Sequence, residues 1–310
     1  MIDQLTKAGP TLVFDSGNAL FAFEGPQDEG TKPRARFILD AMGKLGTKVM
    51  AAGAKDLNFG AAWLKEAAAP SGVKILSANL TDHEKEPFEG SAVVTVGKSR
   101  IGFIAVTQPG GLGDPGAKLV ATDMIAAVKE ELPKLKGKTD LVILLAAVKQ
   151  ADAFALSGAF KNDVDFIVTS SDSRGNQPAQ KADGAWVVNP GARGQVVAVL
   201  SLKLDGKGAF VDLAEVDREK ELLKSLDSRL AEMEPRMKAA TDPKSKEMMK
   251  TTVDELKVRR AAQKKKADAG VAANARTFDY TFAVLDEKVD DDAPLKAEVL
   301  KYEPTYKGAH

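Results

Sequence analysis

The segment KILSANL, residues 74–80, is a short apolar stretch that runs into small and polar residues. Its first part, Lys74–Ala78, is a predicted strand. Upstream, Lys48–Ala52 is another predicted strand, and Ala61–Ala69 between them is a predicted helix that Pro70 ends. A strand, a helix and a second strand in this order indicate parallel strands joined by a helix on one face of a sheet.

The same alternation extends outward from this segment over the first two thirds of the chain. Helices between parallel strands, followed by hairpins, predict an α/β fold with mixed sheets. The last two strands are predicted to form a hairpin that turns at Asp205–Gly208. The other predicted helices are 34–45, 123–135 and 151–160, and the other predicted strands are 11–14, 92–96, 101–106, 141–145, 166–168, 186–188, 195–204 and 209–213.

The composition changes at Asp217. Residues 217–266 hold 15 basic and 10 acidic residues and no glycine or aromatic residue. Leu and Met recur there at helical spacing, which predicts an antiparallel, coiled-coil-like hairpin of two helices. Asp242 and Pro243 are placed to cap and begin the second helix. We predict that residues 217–266 bind a protein partner or a second copy of the chain.

The chain after Gly270 is predicted to return as one strand, Thr277–Leu285, and then to continue as a polar tail. We expect that strand to fill a vacancy in the sheet of the first domain. The predicted domains are therefore residues 1–214, a charged helical hairpin at residues 215–275, and the returning strand with its tail at residues 276–310.

The composition excludes several classes of function. The 310 residues include 44 basic and 44 acidic side chains, so no net charge draws the chain to nucleic acid. With no Cys, covalent haem attachment, disulfides and thiolate metal sites are excluded. Only His83 and His310 supply imidazole, too few for most zinc or dinuclear hydrolases. We find neither a signal peptide nor an apolar run long enough to insert into a membrane.

A glycine-rich loop, Gly111–Gly116, matches the spacing of a dinucleotide-binding fingerprint. That motif requires a helix to begin at the loop, whereas Pro115 and Gly116 delay the predicted helix to Asp123. A plain connecting loop is the interpretation that the sequence favours, and we predict no cofactor.

The order of these blocks resembles the 5'-nucleotidase-type metallophosphoesterases of the calcineurin-like superfamily. Residues 76–80 are similar to the family's Leu-Ser-Ala-Asn segment almost letter for letter. The resemblance implies a layered α/β/β/α sandwich with the helical hairpin appended to it. Its other blocks are residues 12–20, 52–60, 101–107, 140–149, 165–173 and 189–194.

The family's metal ligands are almost entirely replaced in this chain. The resemblance places the bridging aspartate at Asn18, an Asn-His pair at Ala54 and Lys55, and a further histidine at Ala147. The last two histidines fall at Ser171 and Ser173. The resemblance also implies that the family's first metal-binding strand has no counterpart here. Asp15, Lys149 and Arg174 are expected around the same pocket, where Lys55, Lys149 and Arg174 either hold an anion or are simply solvated.

We therefore interpret the chain as a degenerate phosphoesterase that serves as a scaffold or interaction module. The alternative is a metal-dependent phosphomonoesterase or nucleotidase with a reduced metal site. Residues 302–310 resemble the lead into a multihaem cytochrome module of exported bacterial proteins. This resemblance implies a periplasmic or exported location, and a cytoplasmic location is the alternative.

Overall fold

The computed structural model describes residues 2–112, 118–170, 177–181, 183–191, 196–286, 289 and 291–305. These residues form two compact units. The first comprises the described residues up to Ala198 and from Phe282 onward, and the second is Val199–Thr281.

Eight helices and fifteen strands occur within the described residues. In chain order, the helices are α1 (Ile2–Ala8), α2 (Lys32–Lys44), α3 (Gly60–Ala68), α4 (Met124–Leu135), α5 (Gln150–Ala159), α6 (Leu213–Ala239), α7 (Pro243–Ala269) and α8 (Ala293–Tyr302). The strands are β1 (Val13–Asp15), β2 (Thr47–Ala51), β3 (Lys74–Leu76), β4 (Leu80–Asp82), β5 (Ser91–Val96), β6 (Ser99–Thr107), β7 (Gly110–Gly111), β8 (Leu119–Ala121), β9 (Leu141–Ala147), β10 (Phe166–Thr169), β11 (Gln180–Lys181), β12 (Trp186–Val188), β13 (Val196–Lys203), β14 (Lys207–Asp212) and β15 (Ala275–Val284).

Two sheets form the core of the first unit. The first sheet is parallel, with the order β1-β2-β3, and the second has the order β11-β12-β10-β9-β6-β5. The rings of Phe14 in β1 and Phe103 in β6 lie 5.2 Å apart between the sheets. A third, small sheet has the order β4-β8-β7. The predicted hairpin at residues 92–106 is confirmed as the antiparallel pair of β5 and β6.

Helices cover the outer face of each main sheet. Leu39 of α2 and Leu64 of α3 share one apolar cluster with Met50 of β2. Val128 of α4 and Leu156 of α5 share another with strands β6 and β9. Each helix presents its apolar stripe to a sheet because that is the only surface able to bury it. The predicted layered α/β/β/α order is therefore confirmed.

A further three-stranded sheet includes β14 and most of β13 and β15, and its central strand was predicted to lie elsewhere. Its order is β13-β15-β14, so β15 does not fill a vacancy in the first sheet, and β13 and β14 are not paired as a hairpin. Thr277 and Phe278 of β15 are both buried, on opposite faces of the strand. β13 and β14 pair with the two edges of β15, so the backbone groups on both sides of this central strand have hydrogen-bonding partners within the sheet.

The predicted helical hairpin is formed by α6 and α7. Leu226 and Leu230 of α6 pack against Val253 and Leu256 of α7 in one small apolar cluster. Asp242 begins α7 as expected, since its side chain accepts the N–H of Ser245 at 2.8 Å. Residue 214, the end of the first predicted domain, lies in the first turn of α6.

The tail contains a helix that was not among the predicted elements. Asp292 caps α8 by accepting the N–H of Leu295 at 2.9 Å, and Pro294 lies in the first turn. Tyr302 of α8 packs on Phe37 of α2, with 5.0 Å between ring centroids. Asp followed closely by Pro is the same start signal that identified α7. Within the described residues, the helices are all too short or too polar to cross a membrane.

Candidate functional site

The loops that follow five strands of the first unit meet at the carboxyl ends of the two main sheets. The hydroxyl of Ser16, after β1, donates to the carbonyl oxygen of Thr169 in β10 at 3.1 Å. The N–H of Gln108, after β6, donates to the carbonyl oxygen of Ala147 in β9 at 3.1 Å. We call the loops after β1, β2, β6, β9 and β10 the strand-end cluster. Ligands of α/β proteins commonly bind at this end of the strands.

The loops after β1 and β2 approach each other so closely that side chains are excluded between them. Gly17 has a φ of +89°, and a Cβ there would lie 2.6 Å from the carbonyl oxygen of Ala51. A Cβ on Gly53 would lie 2.4 Å from Oδ1 of Asn18. Both distances are shorter than a van der Waals contact. Glycine is therefore required at each position for the two loops to pack as they do.

Asn18 links three loops of the strand-end cluster. Its backbone is left-handed, with a φ of 64°, which Asn tolerates better than most residues. Its Oδ1 accepts the backbone N–H of Lys55 at 3.1 Å. Its Nδ2 donates to the hydroxyl of Ser170 at 3.1 Å. The amide side chain thus joins the loops after β1, β2 and β10.

Asp56 is a central residue of the cluster that was not among the predicted site residues. It is fully buried. Its Oδ2 accepts the N–H groups of Asn18 at 2.6 Å and Gly53 at 2.9 Å, and its Oδ1 accepts the N–H of Leu20 at 2.9 Å. One feature of the sequence could have identified it: within the block at residues 52–60, Asp56 occupies the position that resembles the family's glutamate. The carboxylate therefore holds the loops after β1 and β2 together.

The site contains two carboxyl groups with unusual proton affinity. Burial raises the pKa of Asp56 from 3.8 to about 7, although its three backbone N–H donors lower it and nearby Asp15 raises it further. Burial also raises the pKa of Asp15 from 3.8 to about 6, against the effect of the Gly17 N–H. That N–H donates to Oδ1 of Asp15 at 2.7 Å. Both groups therefore change protonation close to neutral pH.

A second polar network lies under the site, at the end of the segment KILSANL. Oδ1 of Asn79 accepts the N–H of Thr107 at 2.8 Å, and its Nδ2 donates to the carbonyl oxygens of Thr107 at 2.8 Å and Thr122 at 2.9 Å. The hydroxyl of Thr107 donates to the carbonyl oxygen of Ala52 at 2.6 Å. Thr107 is in β6, and the other three residues adjoin the ends of β2, β4 and β8, so the network links these four strands by hydrogen bonds.

The structure places most of the sequence-predicted site residues in the strand-end cluster. Asp15 ends β1, and Ala54 and Lys55 begin a 3₁₀ turn after β2. Ala147 ends β9 and is buried. Lys149 precedes α5, and its N–H donates to Oε1 of Gln108 at 2.9 Å. The remaining predicted positions, Ser171, Ser173 and Arg174, lie outside the described residues, as does the centre of the glycine-rich loop at residues 113–117.

The described side chains do not fit a dinuclear metal centre. Both oxygens of Asp56 are already occupied by backbone donors. The side chain of His83 is 69% exposed and pairs through Nδ1 with Oδ1 of Asp82 at 2.7 Å. Across the part of the chain that the structure describes, no three His, Asp or Glu side chains come together in a group able to hold a metal ion.

No family model and no curated protein match this sequence. Solved structures do match its three-dimensional arrangement. A 5'-nucleotidase precursor from Thermus thermophilus aligns with a TM-score of 0.52 and 22% identity over 64% of this chain and 43% of its own. The sulfate thiohydrolase SoxB of Thermus thermophilus aligns with a TM-score of 0.55 and 18% identity over 65% of this chain and 38% of its own.

The calcineurin-like phosphoesterase YfkN of Bacillus subtilis aligns with a TM-score of 0.50 and 16% identity over 64% of this chain and 73% of its own. This chain has the metallophosphoesterase fold. The chain spans about two fifths of the length of the 5'-nucleotidase and the thiohydrolase. In the metallophosphoesterase fold, identical topology can carry different chemistry, so the fold alone assigns no activity.

Proposed function

We propose that this chain is a non-catalytic interaction module built on the metallophosphoesterase fold. The main support for this proposal is the identity of one residue in the strand-end cluster. At the position that resembles the family's bridging aspartate, the chain has Asn18, whose amide is used up in linking the loops at Lys55 and Ser170. The amide of Asn18 and the carboxylate of Asp56 thus join the loops, a role that a metal ion would otherwise have.

The chemistry of the replaced positions supports this proposal. Two-metal hydrolysis needs ligands that hold cations, which then neutralise phosphate charge and generate hydroxide. The methyl groups of Ala54 and Ala147 cannot bind a cation, and the ammonium group of Lys55 repels one. No hydrolytic step can therefore be assigned to these residues.

A phosphomonoesterase or nucleotidase with a reduced metal site is the second candidate function. The observation in its favour is the pair Asp15 and Asp56, whose pKa values are raised to about 6 and about 7. Perturbed carboxyl groups in one cluster are typical of catalytic acids and bases. Against it, each carboxylate already accepts hydrogen bonds from backbone N–H groups, Asp15 from Gly17 of its own loop and Asp56 from Asn18 of the loop after β1.

Elemental analysis and a phosphatase assay together separate the two functions. The purified chain is assayed with p-nitrophenyl phosphate and with AMP in Mn²⁺, Zn²⁺ or Ca²⁺. We expect no bound metal and no turnover above that of the Asp15→Asn variant. Turnover that depends on added metal and disappears in the Asp15→Asn and Asp56→Asn variants would instead establish the hydrolase.

Two further roles belong to the same proposal. Lys55 and Lys149 are the described cations that could retain an anion at the old site, and calorimetric titration with inorganic phosphate tests this against simple solvation.

We also propose, from the resemblance of the tail to segments that precede cytochrome modules, that the protein functions outside the cytoplasm. Fractionation of the source cells, with detection by a specific antibody, checks that location.

A further inference from the structure

A groove of about 150 Å³ opens between the two helices of the hairpin in the second unit. Its floor is apolar and its edges are charged. The floor consists of Met233 of α6 and Leu256 of α7, which also belong to the cluster between the helices. The full lining is Arg229, Met233, Thr252, Glu255, Leu256 and Arg259.

The two arginines of this groove differ from the other arginines of the hairpin. Arg218, Arg236 and Arg260 each pair with a carboxylate, those of Asp212, Glu232 and Asp227 respectively. Arg229 and Arg259, by contrast, form no ion pair with any carboxylate of the described residues, and both are exposed. Their guanidinium groups therefore remain available for a carboxylate that comes from outside.

The groove belongs to a longer apolar surface. Leu222 lies seven residues before Arg229, and Met248 lies four residues before Thr252, so each shares a helix face with a groove residue. Leu222 is 50% exposed and Met248 is 67% exposed. Exposed Leu and Met beside an apolar floor are typical of surfaces that accept another helix, because Met adapts to different partners.

We propose that this surface, defined by Leu222, Arg229, Met233, Met248, Leu256 and Arg259, binds an acidic amphipathic helix of a partner protein. The groove between two antiparallel helices accepts a third helix whose apolar stripe rests on Met233 and Leu256. Acidic residues that flank that stripe would face Arg229 and Arg259. The inference deepens the interaction role proposed above and rests on it.

The net positive charge of the hairpin favours an acidic partner over a second copy of the same hairpin. Residues 217–266 carry 15 basic and 10 acidic side chains. Two such hairpins packed together would bring like net charge into contact, which opposes association. An acidic helix instead gains the apolar contact and places its carboxylates beside Arg229 and Arg259, which outnumber the groove's own Glu255.

A designed peptide of defined composition tests the proposal on the full-length chain. The probe is a fluorescent helix of about three heptads, with Leu at positions a and d and Glu at e and g. Its counterpart carries Lys at e and g. We expect anisotropy titrations to show saturable binding of the Glu peptide, about tenfold or more tighter than that of the Lys peptide, weakening as salt rises.

Matched charge-reversal variants locate the binding surface. Arg229→Glu with Arg259→Glu should weaken binding of the Glu peptide about tenfold or more. Lys250→Glu with Lys265→Glu makes the same change in net charge at exposed positions that do not line the groove, and it should retain binding. Because all four side chains are exposed, both variants should keep the melting temperature of the wild type.

Any one of the following outcomes would overturn the inference. Equal binding of the two peptides, or equal loss in both variants, would show only nonspecific attraction. A wild-type dimer in light scattering that the groove variant makes monomeric would assign the surface to a second copy. The phosphatase assay remains independent of these results, because an active hydrolase could still bind the peptide and an inactive chain could fail to bind it.

Discussion

The carboxylate of Asp56 accepts the backbone N–H of Asn18 at 2.6 Å, and the side chain of Asn18 in turn accepts the N–H of Lys55 beside Asp56 at 3.1 Å. The loops after β1 and β2 thus hold each other by reciprocal hydrogen bonds. The polar groups of the two loops thus satisfy one another.

At pH 5, below the folded pKa of about 7, substitution Asp56→Asn should destabilise the chain by about 2–4 kcal/mol, because the amide has one acceptor oxygen and its NH2 group would face an N–H donor that the carboxyl group now accepts. Chemical denaturation measures the change. Asp123→Asn is the control, since that side chain accepts one N–H at an exposed helix start, where Asn serves as well as Asp. Equal losses in the two variants would contradict a special role for Asp56.

Stability should fall as the pH rises from about 4 to about 7. The folded pKa values of Asp15 and Asp56, about 6 and about 7, lie above the ordinary value of 3.8. In this window the folded chain therefore binds more protons than the unfolded chain, so the free energy of unfolding decreases with pH.

The variant Asp15→Asn isolates one of these groups. Its amide still offers an oxygen to the Gly17 N–H, and it does not ionise. Relative to the wild type, it should gain stability above the folded pKa of about 6, on the order of 3 kcal/mol for the two-unit shift. Melting curves of both proteins from pH 4 to pH 8 cancel the contributions of the groups that do not interact with Asp15, whereas the pKa of Asp56 falls in the variant because the Asp15 charge no longer raises it. A constant difference across that range would contradict the raised pKa.

Gly53→Ala should cost about 1–3 kcal/mol, because its new Cβ would lie 2.5 Å from the backbone nitrogen of Asn18 as well as close to its side chain. The matched control is Gly158→Ala within α5, where a Cβ has no neighbour within 4 Å. That substitution should stabilise the chain by up to about 1 kcal/mol, since Ala is the better helix former. Thermal unfolding distinguishes the opposite signs.

Phe278→Ala should destabilise the second unit by about 3–5 kcal/mol, because the ring is 1% exposed in the central strand β15 and packs 6.5 Å from the ring of Phe210. Phe23→Ala removes an identical side chain that is 61% exposed and should change stability far less. Hydrogen exchange of the backbone amides in β13 and β14 measures the loss of stability within this sheet. Unchanged exchange in the Phe278 variant would contradict the central placement of β15.

The elements of the fold were predictable wherever local signals were strong. Hydrophobic periodicity identified the helices and strands of the layered sandwich, and Asp242 with Pro243 located the start of α7. The start of α8 has the same kind of signal in Asp292 and Pro294, so the local sequence contains enough information to predict this helix as well. The order of the blocks around residues 76–80 indicated the fold family for the same reason, since each block is local in sequence.

Long-range pairing and the proton affinities of the site were decided only by the tertiary structure. Nothing in residues 275–284 specifies that β15 lies between β13 and β14, because strands pair through backbone groups that every strand carries, and the choice of neighbour depends on packing across the whole sheet. In the sequence, Asp56 likewise resembles an ordinary polar residue, because its burial depends on how the loops after β1 and β2 pack together. The order and local pattern of the residues could be established from the sequence alone, whereas burial and the approach of backbone N–H groups, which exist only in the folded chain, made Asp56 the centre of the site.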